Sequence, residues 1–245
     1  MSIRKKILAI SIGPVLVLGV ITLLFILTMV KSSLMDEVQD ALKGTAAATL
    51  AAYDQNTGDY LESTNGDIWK GSYNISKSES LVDRIKENTG MDVTFFYGNK
   101  RIMTSALDKK GNRILGSEAG ERVVNQVIKG KKPFFSTNVS LDGTRNYGYF
   151  IPVYQNGTTD QVIGMVFVGT NKAQKDAIVN KILGSIMMAL LVVMFLCIVT
   201  AMRMAASISK NIKNSVAVVG KLADGDLNVW VDEKLLKRKD EIGDL

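Results

Sequence analysis

Histidine is missing from this sequence altogether, and cysteine occurs once among its 245 residues. Without histidine the chain lacks the commonest general base and metal ligand at neutral pH, and no Ser/His/Asp set can be assembled. No spacing of acids or cysteines suits a metal, and no glycine-rich phosphate loop occurs. The expectation is a non-enzyme that carries neither cofactor nor metal. The single cysteine, Cys197, sits in an apolar run, so no disulfide can staple the rest. Proline is also scarce, at three residues. The net charge is +6, but it comes with no dense basic stripe, which sets nucleic acid aside as a partner.

Charge is absent from two long stretches. Residues 7–30 and 182–202 contain no Asp, Glu, Lys or Arg, and most of their side chains are apolar. A helix needs about 20 such residues to cross a hydrocarbon core about 30 Å thick. Lipid offers no hydrogen bonds to the backbone, so helix is the form expected of both. The first run follows Arg4, Lys5 and Lys6, as a signal peptide would. It is much longer than a typical apolar h-region of roughly 7–15 residues, and no small-residue cleavage site follows it directly, so an uncleaved anchor is expected.

Lys and Arg set the orientation. Arg4, Lys5 and Lys6 precede the first run, while Arg203, Lys210 and Lys213 follow the second, with Asp224 the first acid beyond it. Lys172, Lys175 and Lys181 on the other side weaken that signal. Both termini are expected in the cytosol. The organisation read from the sequence is a cytosolic N-terminus (residues 1–6), a membrane helix (7–30), an extracytoplasmic domain (31–181), a second membrane helix (182–202) and a cytosolic tail (203–245). The outer segment is nearly neutral, with 19 basic and 17 acidic residues, and is long enough to hold its own core.

Within that segment the apolar period changes along the chain. Residues 33–53 carry Leu34, Val38, Leu42 and Ala46 at intervals of four, which predicts a long helix continuing out of the membrane. Residues 56–73 are polar and glycine-containing and are expected to be loop. Residues 80–88 form a short helix that stops at Gly90. A hairpin is predicted for residues 93–97 and 100–104 around Gly98-Asn99. A helix over 118–129 follows, and then three strands, 134–139, 145–153 and 162–168, joined at Asp142-Gly143 and Asn156-Gly157. The fold class expected is α+β: a five-stranded antiparallel sheet with one face on the long helix and the other curved around a ligand.

Alternation along the strand over 145–153 puts Arg145, Tyr147, Tyr149 and Ile151 on one face. A guanidinium beside two phenols suits a carboxylate. The alternative is that Tyr147 and Tyr149 are ordinary strand residues with Arg145 solvated at the edge. Arg101 and Thr104 on the hairpin are further candidates; Arg113, after a glycine turn, is expected to be exposed.

In the tail, Ile208, Ile212, Val216, Val219 and Leu222 are spaced 4, 4, 3 and 3 apart, the seam of a coiled coil. Gly225-Asp226-Leu227 interrupts it, and Asp240-Glu241-Ile242-Gly243 follows a connector.

Two stretches resemble known families. Asp92-Val93-Thr94, Asn99-Lys100-Arg101-Ile102, Gly111-Asn112-Arg113, Gly116-Ser117, Val123, Val127 and Gly130-Lys131-Lys132-Pro133-Phe134 resemble the single Cache domains of type 3, as do Tyr149, Pro152 and the closing run from Val162 to Gly169. The resemblance covers roughly residues 34–170. It implies an extracytoplasmic PAS-like sensor that often binds small organic acids. One departure is Thr104-Ser105-Ala106, where such domains commonly have Thr-Asn. The tail resembles a HAMP relay, with a first helix over 203–223, a connector over 225–239 and a second helix from 240; Gly225, Leu227 and Glu241 stand at its motif positions. HAMP first helices usually carry a proline where Asn211 stands here. Ending at Leu245, the sequence is expected to be a fragment or a truncated product.

The whole order resembles the N-terminal sensory part of a methyl-accepting chemotaxis protein. The partners this implies are a small-molecule ligand such as an organic acid, membrane lipid, a second copy in a homodimer, and a chemotaxis kinase complex reached only through an output module. The input half of a sensor histidine kinase or of a cyclic-dinucleotide enzyme is the alternative.

Overall fold

A computed structural model describes residues 3–225 of the chain. They fall into two compact units, one of residues 31–181 and one of residues up to 30 with those from 182 onward.

In the first of these units, helix α2 (Lys31–Asp54) buries Leu42, Ala46, Thr49 and Tyr53, so the apolar stripe read from the sequence runs on by two further residues. Three short strands follow, β1 (Tyr60–Glu62), β2 (Ile68–Lys70) and β3 (Tyr73–Asn74), paired antiparallel in a small sheet. This corrects the loop expected over 56–73. Strands of two or three residues are too short to display alternation, and Leu61 is 62% exposed. Tyr60 and Ile68 anchor the small sheet in the core, and polar contacts tie it further: Lys70, 3% exposed, pairs with Asp54 at 2.8 Å and lies 4.1 Å from the centre of the Tyr60 ring. The Gln155 side chain bonds both the Tyr60 amide (2.8 Å) and its carbonyl (3.0 Å).

Helix α3 (Glu79–Thr89) ends at Gly90, whose φ of +70° and bond to the Lys86 carbonyl make the left-handed cap. Strands β4 (Asp92–Tyr97), β5 (Lys100–Thr104), β6 (Phe134–Leu141), β7 (Thr144–Tyr154) and β8 (Val162–Asn171) form one antiparallel sheet in the order β5-β4-β8-β7-β6. Asp142 and Gly143 both have positive φ, 45° and 77°, as the tight β6–β7 turn requires. The helix expected over 118–129 is shorter: one turn, α4 (Glu121–Val123), runs into a π-helical turn (Val124–Lys129).

Each face of the sheet has its own core. Leu42, Ala46 and Tyr53 of α2 and Val82 of α3 pack on Val93, Phe95, Met103, Tyr147, Tyr149, Val166 and Val168. On the opposite face Phe96, Phe150, Met165 and Phe167 gather Ala106, Val127 and Leu141. The Phe167 ring lies over Gly148 and Gly169, where any side chain would collide with it.

The other unit contains α1 (Ile3–Phe25), with Pro14 inside it, a π-helical turn (Ile26–Val30), and the part from Ile182 onward of α5 (Lys172–Ala223). Both helical stretches, Arg4–Asp54 and Lys172–Ala223, are long and apolar enough to cross a membrane by length and composition. Their apolar side chains are largely exposed, among them Leu18 at 66% and Phe195 at 65%. Gly19 lets the Met194 thioether approach, where an added Cβ would be 2.5 Å from the sulfur.

Candidate functional site

A cavity of about 490 Å³ opens on the sheet face away from α2. Its floor is Phe96, Phe150 and Phe167, one each from β4, β7 and β8. Strand β6 forms a wall from Phe134 to Ser140, bulged between Ser136 and Val139. Glu118, Gly120 and Arg122, just before and within α4, close the third side. At this volume it is within the range of small-molecule sites.

Arg101 of β5 lines the cavity and is 7% exposed. Its guanidinium carbon lies 5.4 Å from the Phe96 ring centre, and Nη1 donates to the Ile114 carbonyl at a long 3.3 Å. Its Nε is buried with no hydrogen-bond partner. Burial pushes its pKa below the ordinary guanidinium value, and the charge of Asp92 opposes that shift. The chain after the hairpin fixes this residue in place: Arg101 N donates to the Ser117 carbonyl, and Gly116 N to the Arg101 carbonyl, each at 2.9 Å.

Of the five ligand candidates only Arg101 lines the cavity. Thr104 is fully buried; its hydroxyl bonds that of Thr94 at 2.7 Å and accepts from the Ala106 amide. Arg145 is exposed near the start of β7. Tyr147 and Tyr149 do share a face, but it is the face packed under α2, across the sheet from the cavity. This placement fits the alternative reading, with Tyr147 and Tyr149 as packed strand residues and Arg145 exposed near the strand's start. Tyr147 stacks on Phe135 (centroids 6.3 Å apart) and donates its hydroxyl to Asp176 of α5 at 2.5 Å. Burial first, then Asp176, pushes its pKa up to about 12. Arg113, expected to be exposed, instead forks onto Asp83 at 2.9 and 2.6 Å and donates to the Thr104 carbonyl at 2.7 Å.

The sequence reading missed Phe134, Phe150, Phe167 and Arg122, whose guanidinium lies 5.4 Å from the Phe134 ring centre. A signal was present: Phe150 has the opposite parity to Tyr147 and Tyr149.

Residues 73–182 match the family model "Single cache domain 3". The folded segment has a Cache-like, PAS-like fold, a five-stranded antiparallel sheet with a long N-terminal helix. No curated protein matches the chain. Among solved structures, an extracellular ligand binding receptor from Desulfohalobium retbaense is similar at 15% identity over 60% of this chain and 25% of that one, with a TM-score of 0.42. The ligand-binding domain of the Campylobacter jejuni chemoreceptor Tlp3, in complex with L-valine, is similar at 10% identity over 72% and 64%, with a TM-score of 0.41. The E. coli DcuS sensor domain is similar at 13% identity over 57% and 98%, with a TM-score of 0.36. The chain thus spans a quarter of the first of these proteins and under two thirds of the second.

In the tail, Ile208, Ile212, Val216 and Val219 are all helical within α5, and Val216 and Val219 are 65% and 60% exposed. Gly225 follows the helix with a φ of +82°. Leu227 and Glu241 lie outside the described residues.

Proposed function

We propose that this chain is the sensory portion of a transmembrane chemoreceptor of the methyl-accepting type, taking a small anionic ligand in the cavity beside Arg101. In this reading residues 31–181 stand outside the cytosol, residues 7–30 and 182–202 cross the lipid, and residues 203–245 begin a HAMP relay. Two copies pair along the seam of Ile208, Ile212, Val216 and Val219, and the signal reaches a chemotaxis kinase through an output module.

The observation that carries this reading is the bonding between the cavity wall and the first turns of α5. Lys172 Nζ donates to the carbonyl of Thr137, a wall residue, at 3.1 Å. One strand over, Tyr147 grips Asp176 while its ring stacks on Phe135, also a wall residue. A ligand that fits one position of β6 better than another biases the start of α5 by that difference in affinity. Shifts of about 1–2 Å are the usual scale of such helix movements. Of the sequence candidates, Arg101 keeps a ligand role here, and Tyr147 becomes a linkage residue.

A chimera tests the proposal. Residues 1–225 joined in helical register to the relay and signalling hairpin of a chemoreceptor, in swimming cells lacking their own receptors, should bias swimming in gradients of small carboxylates. A chimera that reaches the membrane and never responds to any of them would refute it.

A further inference from the structure

The cavity holds one buried charge in an aromatic setting. Phe96, Phe150 and Phe167 are each at most 3% exposed, and Phe134 is half-buried across from them. Among the described residues no carboxylate pairs with Arg101 within 4.0 Å. A buried cation whose guanidinium is short of acceptors is incompletely compensated, and an anion supplied from outside completes it. Of the other two charged residues lining the cavity, Arg122 is exposed and lies over Phe134, and Glu118 is exposed on the rim.

Resting on the proposal that this cavity is the ligand site, we propose that the ligand is an aromatic monocarboxylate, its carboxylate on Arg101 and its ring among Phe96, Phe134 and Phe150. The guanidinium offers a planar fork that a carboxylate matches with two bonds, which a neutral ligand does not. An aryl ring meets phenyl edges and faces at the separations aromatic pairs favour. A second carboxylate would be desolvated against phenyl groups without a buried cation to receive it. The ammonium of a free amino acid would find no buried acid, because the cavity's one acidic residue, Glu118, faces solvent. Dicarboxylates and zwitterions are therefore disfavoured, and so are neutral arenes, which leave the guanidinium unmatched.

Calorimetric titration of the full chain in lipid nanodiscs with phenylacetate, benzoate, succinate, L-phenylalanine and benzyl alcohol tests this. Phenylacetate or benzoate should bind, with the other three at least about tenfold weaker. Arg101→Gln should weaken aryl-acid binding on the order of a hundredfold. Ser136→Trp, which fills the mouth from a partly exposed position on β6, should abolish it while unfolding of the chain stays as in the parent. Ser136→Trp also keeps the test informative if Arg101→Gln does not fold. Preferred binding of succinate, L-phenylalanine or benzyl alcohol, lost in Ser136→Trp, would overturn the ligand class and leave the cavity as the ligand site. Aryl-acid binding that survives both substitutions would overturn the cavity reading itself. Absence of aryl-acid binding overturns the proposal.

Discussion

The bond between Tyr147 and Asp176 should be a measurable tie between the sheet and α5. Tyr147→Phe keeps the ring on Phe135 and removes only the hydroxyl; Asp176→Asn keeps the shape and removes the charge. Hydrogen bonds to charged groups contribute about 1.5–3 kcal/mol. Tyr147 is 4% exposed, but Asp176 is only partly buried, so solvent screening brings the expectation to about 1–2 kcal/mol. In a double-mutant cycle read by denaturant unfolding, the two singles together should lose about that much more than the double. Additivity to within about 0.5 kcal/mol would refute the tie. A titration gives an independent check. Because the phenol's folded pKa is raised to about 12, its contribution is complete below the unfolded value of about 10 and is lost as pH rises through the folded one. Ultraviolet titration should find one late-ionising phenol fewer in Tyr147→Phe, and Asp176→Asn should move that ionisation to lower pH.

Two further substitutions probe the frame of the site. Gly164 sits opposite Tyr97 in the β4–β8 pair, and an added Cβ would overlap the Phe96 carbonyl; Gly164→Ala should cost more than about 2 kcal/mol in chemical denaturation, and a smaller loss would show that β4 can yield. The hydrogen bond from Arg113 holds the Asp83 carboxyl below the usual carboxylate range, against the opposing effect of partial burial. Its contribution is present above the unfolded value of about 4 and is lost as pH falls through the depressed folded value. Asp83→Asn should therefore lower stability at neutral pH and flatten the loss seen on acidification; an unchanged acid profile would disprove that role.

Much of the fold was legible because its strands are long and its turns are chemically marked. The five strands, the α+β class and the long first helix follow from a period of four switching to a period of two, with Gly98-Asn99 and Asp142-Gly143 between arms. The small sheet β1–β3 was not legible. Its apolar anchors, Tyr60 and Ile68, are isolated buried residues on separate short strands, and its polar ties, the Lys70–Asp54 ion pair and the Gln155 side chain, 95 residues from its Tyr60 partner, leave no periodic trace either. The same is true of Arg113: a guanidinium after a glycine turn reads as solvated until α3 brings Asp83 beside it.

Of the candidate cavity's lining, Arg101 was legible in the sequence and the aromatic floor was not, and the reason turns on parity. Alternation correctly put Tyr147 and Tyr149 on one face of β7, but both faces of this sheet are buried, so period two cannot say which one meets the helix. Two tyrosines beside an arginine look more like a binding surface than Gly148 and Phe150 do, yet the second pair faces the cavity side. The glycines decide it. Gly148 and Gly169 are opposite each other in the β7–β8 pair, and both lie under the Phe167 ring, so that face holds a flat aromatic layer where side chains would otherwise stand. A strand that places glycine at alternate positions to its tyrosines is leaving room there. In a sheet buried on both sides, the face bearing the small residues is then the better first guess for a cavity than the face bearing the hydroxyls.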